Sequence, residues 1–183
     1  MGILDTLINK VAKKLTRTNR KIEMIRNELP VNETQLIERR EAAESLIRNK
    51  SLMSSAGAIV PIPGLGVGID MKLMTDLIEQ INRTYGLSHK QVNGMTDDLK
   101  QKVMVTAARQ GSEFIGKRIS KSLVAVIFKA IARRELAKQS KWVPIVGQAI
   151  SASISYYMMK KMGMSHIEKC EKVARDLIES TKL

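Results

Sequence analysis

The groups in this chain that are able to do chemistry are few: two histidines, one cysteine and a scatter of acidic residues. His166 and Cys170 stand four apart, one turn of a helix, and both residue types ligate zinc. A structural zinc site takes four ligands, and the other histidine, His89, falls on a different predicted element, so no metal site is expected. A hydrolytic triad fares no better, because neither histidine has an evident acidic orienter and no serine marks a strand-to-helix elbow. Gly111-Ser112-Glu113-Phe114-Ile115-Gly116-Lys117-Arg118 comes close to a phosphate-cradling loop. Arg118 stands where a magnesium-binding hydroxyl is required, and no apolar strand precedes the segment. Gly64-x-Gly66-x-Gly68 lacks both the spacing and the strand of a dinucleotide fingerprint. No catalytic residue and no cofactor is expected.

Asp70 is the acid with the most to say. On helical spacing it falls with Leu73, Met74 and Leu77 at the centre of an apolar face, where an unpaired carboxylate is costly. It must cap helix-start amides, meet a Lys or Arg, or face a polar channel. The cap is the reading adopted.

The elements that would position these residues are helical. The chain has 183 residues, 44% hydrophobic and 3% aromatic, and good helix formers dominate it. The class is all-α, with a core of Leu, Ile, Val, Ala and Met. Lys and Arg outnumber Asp and Glu by 31 to 18, for a formal net charge of +13. A pI near 10.0 calls for anionic partners, either phospholipid headgroups or nucleic acid. A lone cysteine excludes an intramolecular disulfide. Asp5 and Lys10 interrupt any secretory signal, while Met1-Gly2-Ile3-Leu4-Asp5-Thr6 matches the short N-myristoylation pattern.

Two uncharged runs, Ser51–Ile69 and Trp142–Met159, organise the rest. Pro61 and Pro63 forbid one straight helix through the first. An apolar segment, a bend at Gly64, and a new helix from near Leu65 to Tyr85 are expected. Pro144 and Gly147 repeat the signal, and small residues then recur at every fourth position, Gly64 and Gly68 in one unit and Gly147, Ser151 and Ser155 in the other. Such spacing lets helix backbones approach closely.

At the N-terminus Ile3, Leu4, Leu7, Ile8, Val11 and Leu15 share a helical face, opposite Lys10, Lys13, Lys14 and Arg17. Either this helix lies in a membrane interface, or it docks on the body with a solvated basic face. Asn32-Glu33-Thr34-Gln35 starts a second helix, with Leu36, Ile37, Ala43, Leu46 and Ile47 inward and Glu38, Arg39, Arg40, Glu41 and Glu44 solvated. Leu73, Met74, Leu77, Ile78, Ile81 and Tyr85 form one face of the helix that Gly86 ends. Ser88-x-x-Gln91 and Thr96-Asp97-Asp98 open two more helices, and Ser112-Glu113 marks an interruption or restart. Ile115, Ile119, Leu123, Val126, Ile127, Ala130 and Ile131 form the cleanest apolar stripe, flanked by Lys117, Arg118, Lys121, Lys129, Arg133 and Arg134. Gly163 is expected to stop the following helix. Ser165-His166-Ile167-Glu168 would cap the last, with Ile167, Cys170, Val173, Ala174, Leu177 and Ile178 inward.

The run Ala58–Gly64, the acid at Asp70, the long helix and Tyr85-Gly86 resemble the YcjF-like helical domain often found after Era-type GTPase domains in bacteria. Val143-Pro144-Ile145-Val146-Gly147-Gln148-Ala149-Ile150, then Ser153, Tyr156 and Lys160-Lys161-Met162-Gly163, are similar to its second half. EcsC-type proteins share both features. The resemblance spans roughly Ser51 to the C-terminus and implies a membrane-associated all-α domain without catalytic residues. The chain lacks a G domain, so a nucleotide role would fall to a GTPase or other protein in trans. Two regions follow: residues 1–49, basic amphipathic helices forming an arm or membrane-surface region, and residues 50–183, the helical domain.

The expected function is a non-enzymatic module on anionic phospholipid membrane, at the cytoplasmic face of a bacterial inner membrane. Its uncharged runs approach the roughly 20 residues that span hydrocarbon. Their Pro, Gly, Ser and Gln favour re-entrant or conditional insertion. A scaffold or adaptor, a pore-forming effector and a nucleic-acid-backbone binder are the classes left open, and a homo-oligomer is compatible with each. Scattered cations and few aromatics put nucleic acid second.

Overall fold

The computed structural model describes residues 29–53, 60–61, 68–69, 71–138 and 148–180, with backbone alone for 51–53, 60–61, 68–69, 132, 135–138 and 148–155. Among these the fold is all-α. The helices are α1 (Glu33–Met53), α2 (Met71–Thr84), α3 (His89–Asn93), α4 (Asp97–Arg109), α5 (Lys121–Lys138) and α6 (Gln148–Glu179). Two short strands, β1 (Val60–Pro61) and β2 (Gly68–Ile69), pair antiparallel with Val60 opposite Ile69 and Pro61 opposite Gly68. The 32-residue α6 is the axis, touching α1, α2, α4, α5 and β2. Its buried Met162, Ile167, Cys170 and Val173 meet a core built by Leu36, Ala43 and Ile47 of α1 and Met74, Leu77, Ile78 and Ile81 of α2.

Helix ends follow local chemistry. Asn32 Oδ1 accepts from the Gln35 amide at 2.9 Å, and the Gln35 side chain accepts from the Val31 amide at 3.0 Å. Ser88 and Gln91 form the full reciprocal capping box of α3. At the end of α2, Gly86 takes φ 74°, and the amides of Gly86 and Leu87 reach back to the Arg83 and Asn82 carbonyls. That left-handed closure is the reason for the glycine. The face of α2 reads as expected, with Met74, Leu77, Ile78, Ile81 and Tyr85 buried.

Other expectations are corrected. The helix after the first proline run starts at Met71 and not near Leu65, because Gly68 and Ile69 are extended partners of β1. Ile37 is 59% exposed, whereas Arg39, read as solvated, is buried. Arg39 donates from Nη1 to the Thr84 carbonyl at 3.0 Å, placing a cation where the α2 dipole ends negative. The apolar stripe packs on the core as expected at Ile115, Ile119, Leu123, Ile127 and Ile131, but Val126 and Ala130 face outward. The helix begins only at Lys121, after the Ser120 side chain accepts from the Leu123 amide, so Ile115 and Ile119 precede it. Val124 and Phe128 carry its buried face, and Val126 is 68% exposed.

Gly163 does not stop a helix, and Ser165 does not start one; α6 runs through both. A Cβ at Gly163 would lie 2.8 Å from Ile47 Cδ1 and 3.5 Å from Leu77 Cδ2. The missing side chain is what lets α6 press against α1 and α2. Polar ties reinforce that seam at the surface: Arg40 pairs with Glu171 at 2.6 Å and Arg175 with Glu33 at 2.8 Å. Exposed pairs of this kind contribute about 0–1 kcal/mol each.

Residues 49 and 50 both lie inside α1. Gly163→Leu is expected to overpack the α1–α2–α6 seam and cost about 1–3 kcal/mol in denaturant melts. Wild-type stability in that variant would contradict the close approach.

Candidate functional site

The chemistry-bearing side chains converge in one place, and it is closed. His166 and Cys170 of α6 face Asn82, near the end of α2, and all three are buried. His166 Nε2–H donates to Asn82 Oδ1 at 2.8 Å, and Asn82 Nδ2 donates onward to the Phe114 carbonyl at 3.0 Å. The Cys170 thiol points at the same Asn82 oxygen from 3.7 Å. Phe114 stacks edge-on against the His166 ring, with centroids 5.3 Å apart. Burial drives the imidazole pKa down to about 3, helped by the nearby Lys169 ammonium. Burial also pushes the Cys170 thiol up, against the pull of Lys169, so the reactive thiolate is suppressed. The pair ties the segment after α4 to the core.

His89 works on the same segment from outside. Its Nδ1 donates to the Gly116 carbonyl at 3.0 Å, while the Gly116 amide donates to the Leu87 carbonyl at 2.9 Å. Gly116 has φ 67°, and a Cβ there would lie 2.6 Å from Met104 Sδ. The glycines of the near-P-loop therefore serve packing and chain reversal. Among the described residues, no group of three His, Cys, Asp or Glu side chains is placed to hold a metal ion. An open groove of about 610 Å³ between α4 and the end of α6 is lined by Asp98, Lys102, Arg109, Asp176 and Glu179 among others. Its mixed signs favour no one ligand charge.

The surface feature with one sign is the outer side of α5. Val124 and Phe128 turn inward, so Val126, Lys129 and Arg133 share the opposite strip, with Arg134 at its flank and Lys121 exposed in the first turn. Lys117 and Arg118 stand exposed just before the helix. No acidic residue occurs between Glu113 and Glu135. The stretch 117–134 thus carries six cations and no acid, and Val126 is exposed on the same outward strip of α5 as Lys129 and Arg133. The sequence showed these cations as flanks of a stripe; it missed that Val126 belongs with them.

The N-terminal set, Ile3, Leu4, Leu7, Ile8, Lys10, Val11, Lys13, Lys14, Leu15 and Arg17, lies outside the described residues, as do Pro63, Gly64, Asp70, Pro144 and Gly147. Pro61 and Gly68 are opposite partners in the strand pair, and Ser151 and Ser155 lie within α6. α2 begins at the residue after Asp70, and α6 at the residue after Gly147.

Two outcomes follow from the buried cluster. Asn82→Leu strands the His166 N–H and the Phe114 carbonyl, and should cost about 1–3 kcal/mol for each group left unpaired. Wild-type denaturant stability would refute the network. The folded His166 pKa of about 3 lies below the ordinary imidazole value of 6.5. Between these values the unfolded chain holds a proton that the folded chain does not. Stability therefore falls as pH drops below 6.5, by about 1.4 kcal/mol per unit, and this loss levels off below about 3. Melts between pH 6.5 and 5 should show that slope in wild type and lose it in His166→Gln; equal slopes would count against a buried neutral imidazole.

Comparison with protein-family models, with curated proteins and with solved structures finds no match to this chain.

Proposed function

We propose that this chain is a non-enzymatic, YcjF-like helical module that binds anionic membrane surfaces and serves there as a scaffold or adaptor. Its place is the cytoplasmic face of a bacterial inner membrane, with a GTPase or other protein as partner in trans. The observation that carries this reading is the outer strip of α5, where Val126 is 68% exposed on the same side as Lys129 and Arg133, on a helix that also carries Lys121 and Arg134. Cations near an anionic leaflet contribute about 1 kcal/mol each, and an apolar side chain among them adds burial at the headgroup boundary. The amphipathic pattern of residues 3–17 supplies a second contact of the same kind. No helix among the described residues is long and apolar enough to cross a membrane, and a surface contact asks for none.

Purified protein should float with phosphatidylcholine vesicles containing phosphatidylglycerol and fail to float with phosphatidylcholine alone. Replacing Lys121, Lys129, Arg133 and Arg134 together by Ser should weaken binding at least about tenfold near 0.1 M salt. Absence of flotation, with steeply salt-dependent binding to duplex DNA instead, would overturn the membrane reading in favour of nucleic acid.

A further inference from the structure

The core strip of α6 does not end where the core ends. Gly163, Ile167, Cys170, Ala174 and Leu177 recur at alternating intervals of four and three, and all are buried. Such a repeat keeps one side of a helix facing its partners. Carried toward the N-terminus, the same strip passes through Lys160 and Tyr156. Both are exposed, Tyr156 at 45%, and its neighbour Tyr157 at 47%. Met159, one turn before Gly163 on the core side, and Met158 remain buried and fasten this turn to the body. Lys161 holds its ammonium 5.7 Å from the centroid of the Tyr157 ring, a cation–π distance. The chain has three tyrosines; the third, Tyr85, is fully buried, as Phe128 is. Among the described aromatic side chains, Tyr156 and Tyr157 are the two that stand exposed.

We infer that Tyr156, Tyr157, Lys160 and Lys161 form an interfacial anchor that seats α6 in the headgroup layer of an anionic bilayer. The inference rests on the membrane-surface reading above and names a contact it did not include. A tyrosine ring is apolar along its body and polar at its tip, which suits the depth where acyl chains meet headgroups. Lysine stems lie along apolar surface while their ammonium groups reach phosphate. Charge complementarity favours the same occupant, since no acidic residue occurs between Glu135 and Glu168. The strip also continues the uncharged run Trp142–Met159, whose apolar side chains suit hydrocarbon and offer nothing to a phosphodiester chain.

The test uses the full chain and vesicles of phosphatidylcholine with phosphatidylglycerol. Tyr156→Ser/Tyr157→Ser should keep the wild-type melt, because both rings are exposed, and bind the vesicles about tenfold more weakly. An environment-sensitive fluorophore on Tyr156→Cys should shift to the blue on vesicle addition, while one on Glu168→Cys should not. Wild-type labelling controls for the buried Cys170. If wild type floats and the double variant floats equally well, the anchor is refuted and the membrane-surface reading stands. Should wild type fail to float, both fall together. Loss of single-stranded oligonucleotide binding in the double variant, with vesicle binding unchanged, would assign the rings to base stacking instead.

Discussion

The approach of α6 to α1 and α2 at Gly163 is the constraint on which the rest of the structure depends. A Cβ there would sit 2.8 Å from Ile47 Cδ1, so any side chain at this point would force Ile47 to shift. Once α6 is held at that distance, Ile167, Cys170, Val173 and Leu177 drop into the core in turn, and His166 arrives beside Asn82. The hydrogen bond from Asn82 to the Phe114 carbonyl then fixes the turn that launches α5. Interiors at native packing density transmit such shifts, so a side chain at one seam is felt across the bundle.

Electrostatic asymmetry follows from the same arrangement. Glu33, Glu44 and Glu171 are drawn to the α1–α6 seam, where Arg40 and Arg175 meet them. Between Glu113 and Glu168 the chain has Glu135 as its single acid. The region holding α5 and the first half of α6 is left with cations, an exposed valine and two exposed tyrosines. Much of the net charge of +13 therefore lies, in sequence, between Lys117 and Lys161. Attraction from exposed cations of this kind falls off within about 10 Å at moderate salt.

What the sequence revealed was local. The apolar face of α2, the left-handed stop at Gly86 and the Ser88–Gln91 box are decided by residues within a turn of one another, and each appears as read. Misreadings came where one residue type serves two ends. Glycine both stops helices and lets them touch, and Gly163 does the second. Arg39 looked solvated because its acceptor, Thr84, lies 45 positions away. In the stripe along α5, Val126 and Ala130 were misplaced, because Val124 and Phe128 occupy the centre of the buried face and turn those two outward. The Asn82–His166 contact joins residues 84 apart, and its only trace in sequence was a polar residue set among core positions on each helix. Asp70, Pro63, Gly64, Pro144 and Gly147 lie outside the described residues, so their expected roles stand as proposals.

Hydrogen–deuterium exchange of the full chain, with and without anionic vesicles, tests the proposed membrane face most directly. Protection confined to residues 117–134 and to the first half of α6, with α1 and α4 unchanged, is the expected pattern. Vesicle-induced protection spread evenly over the helices, or centred on α4, would contradict a membrane face built from α5 and α6.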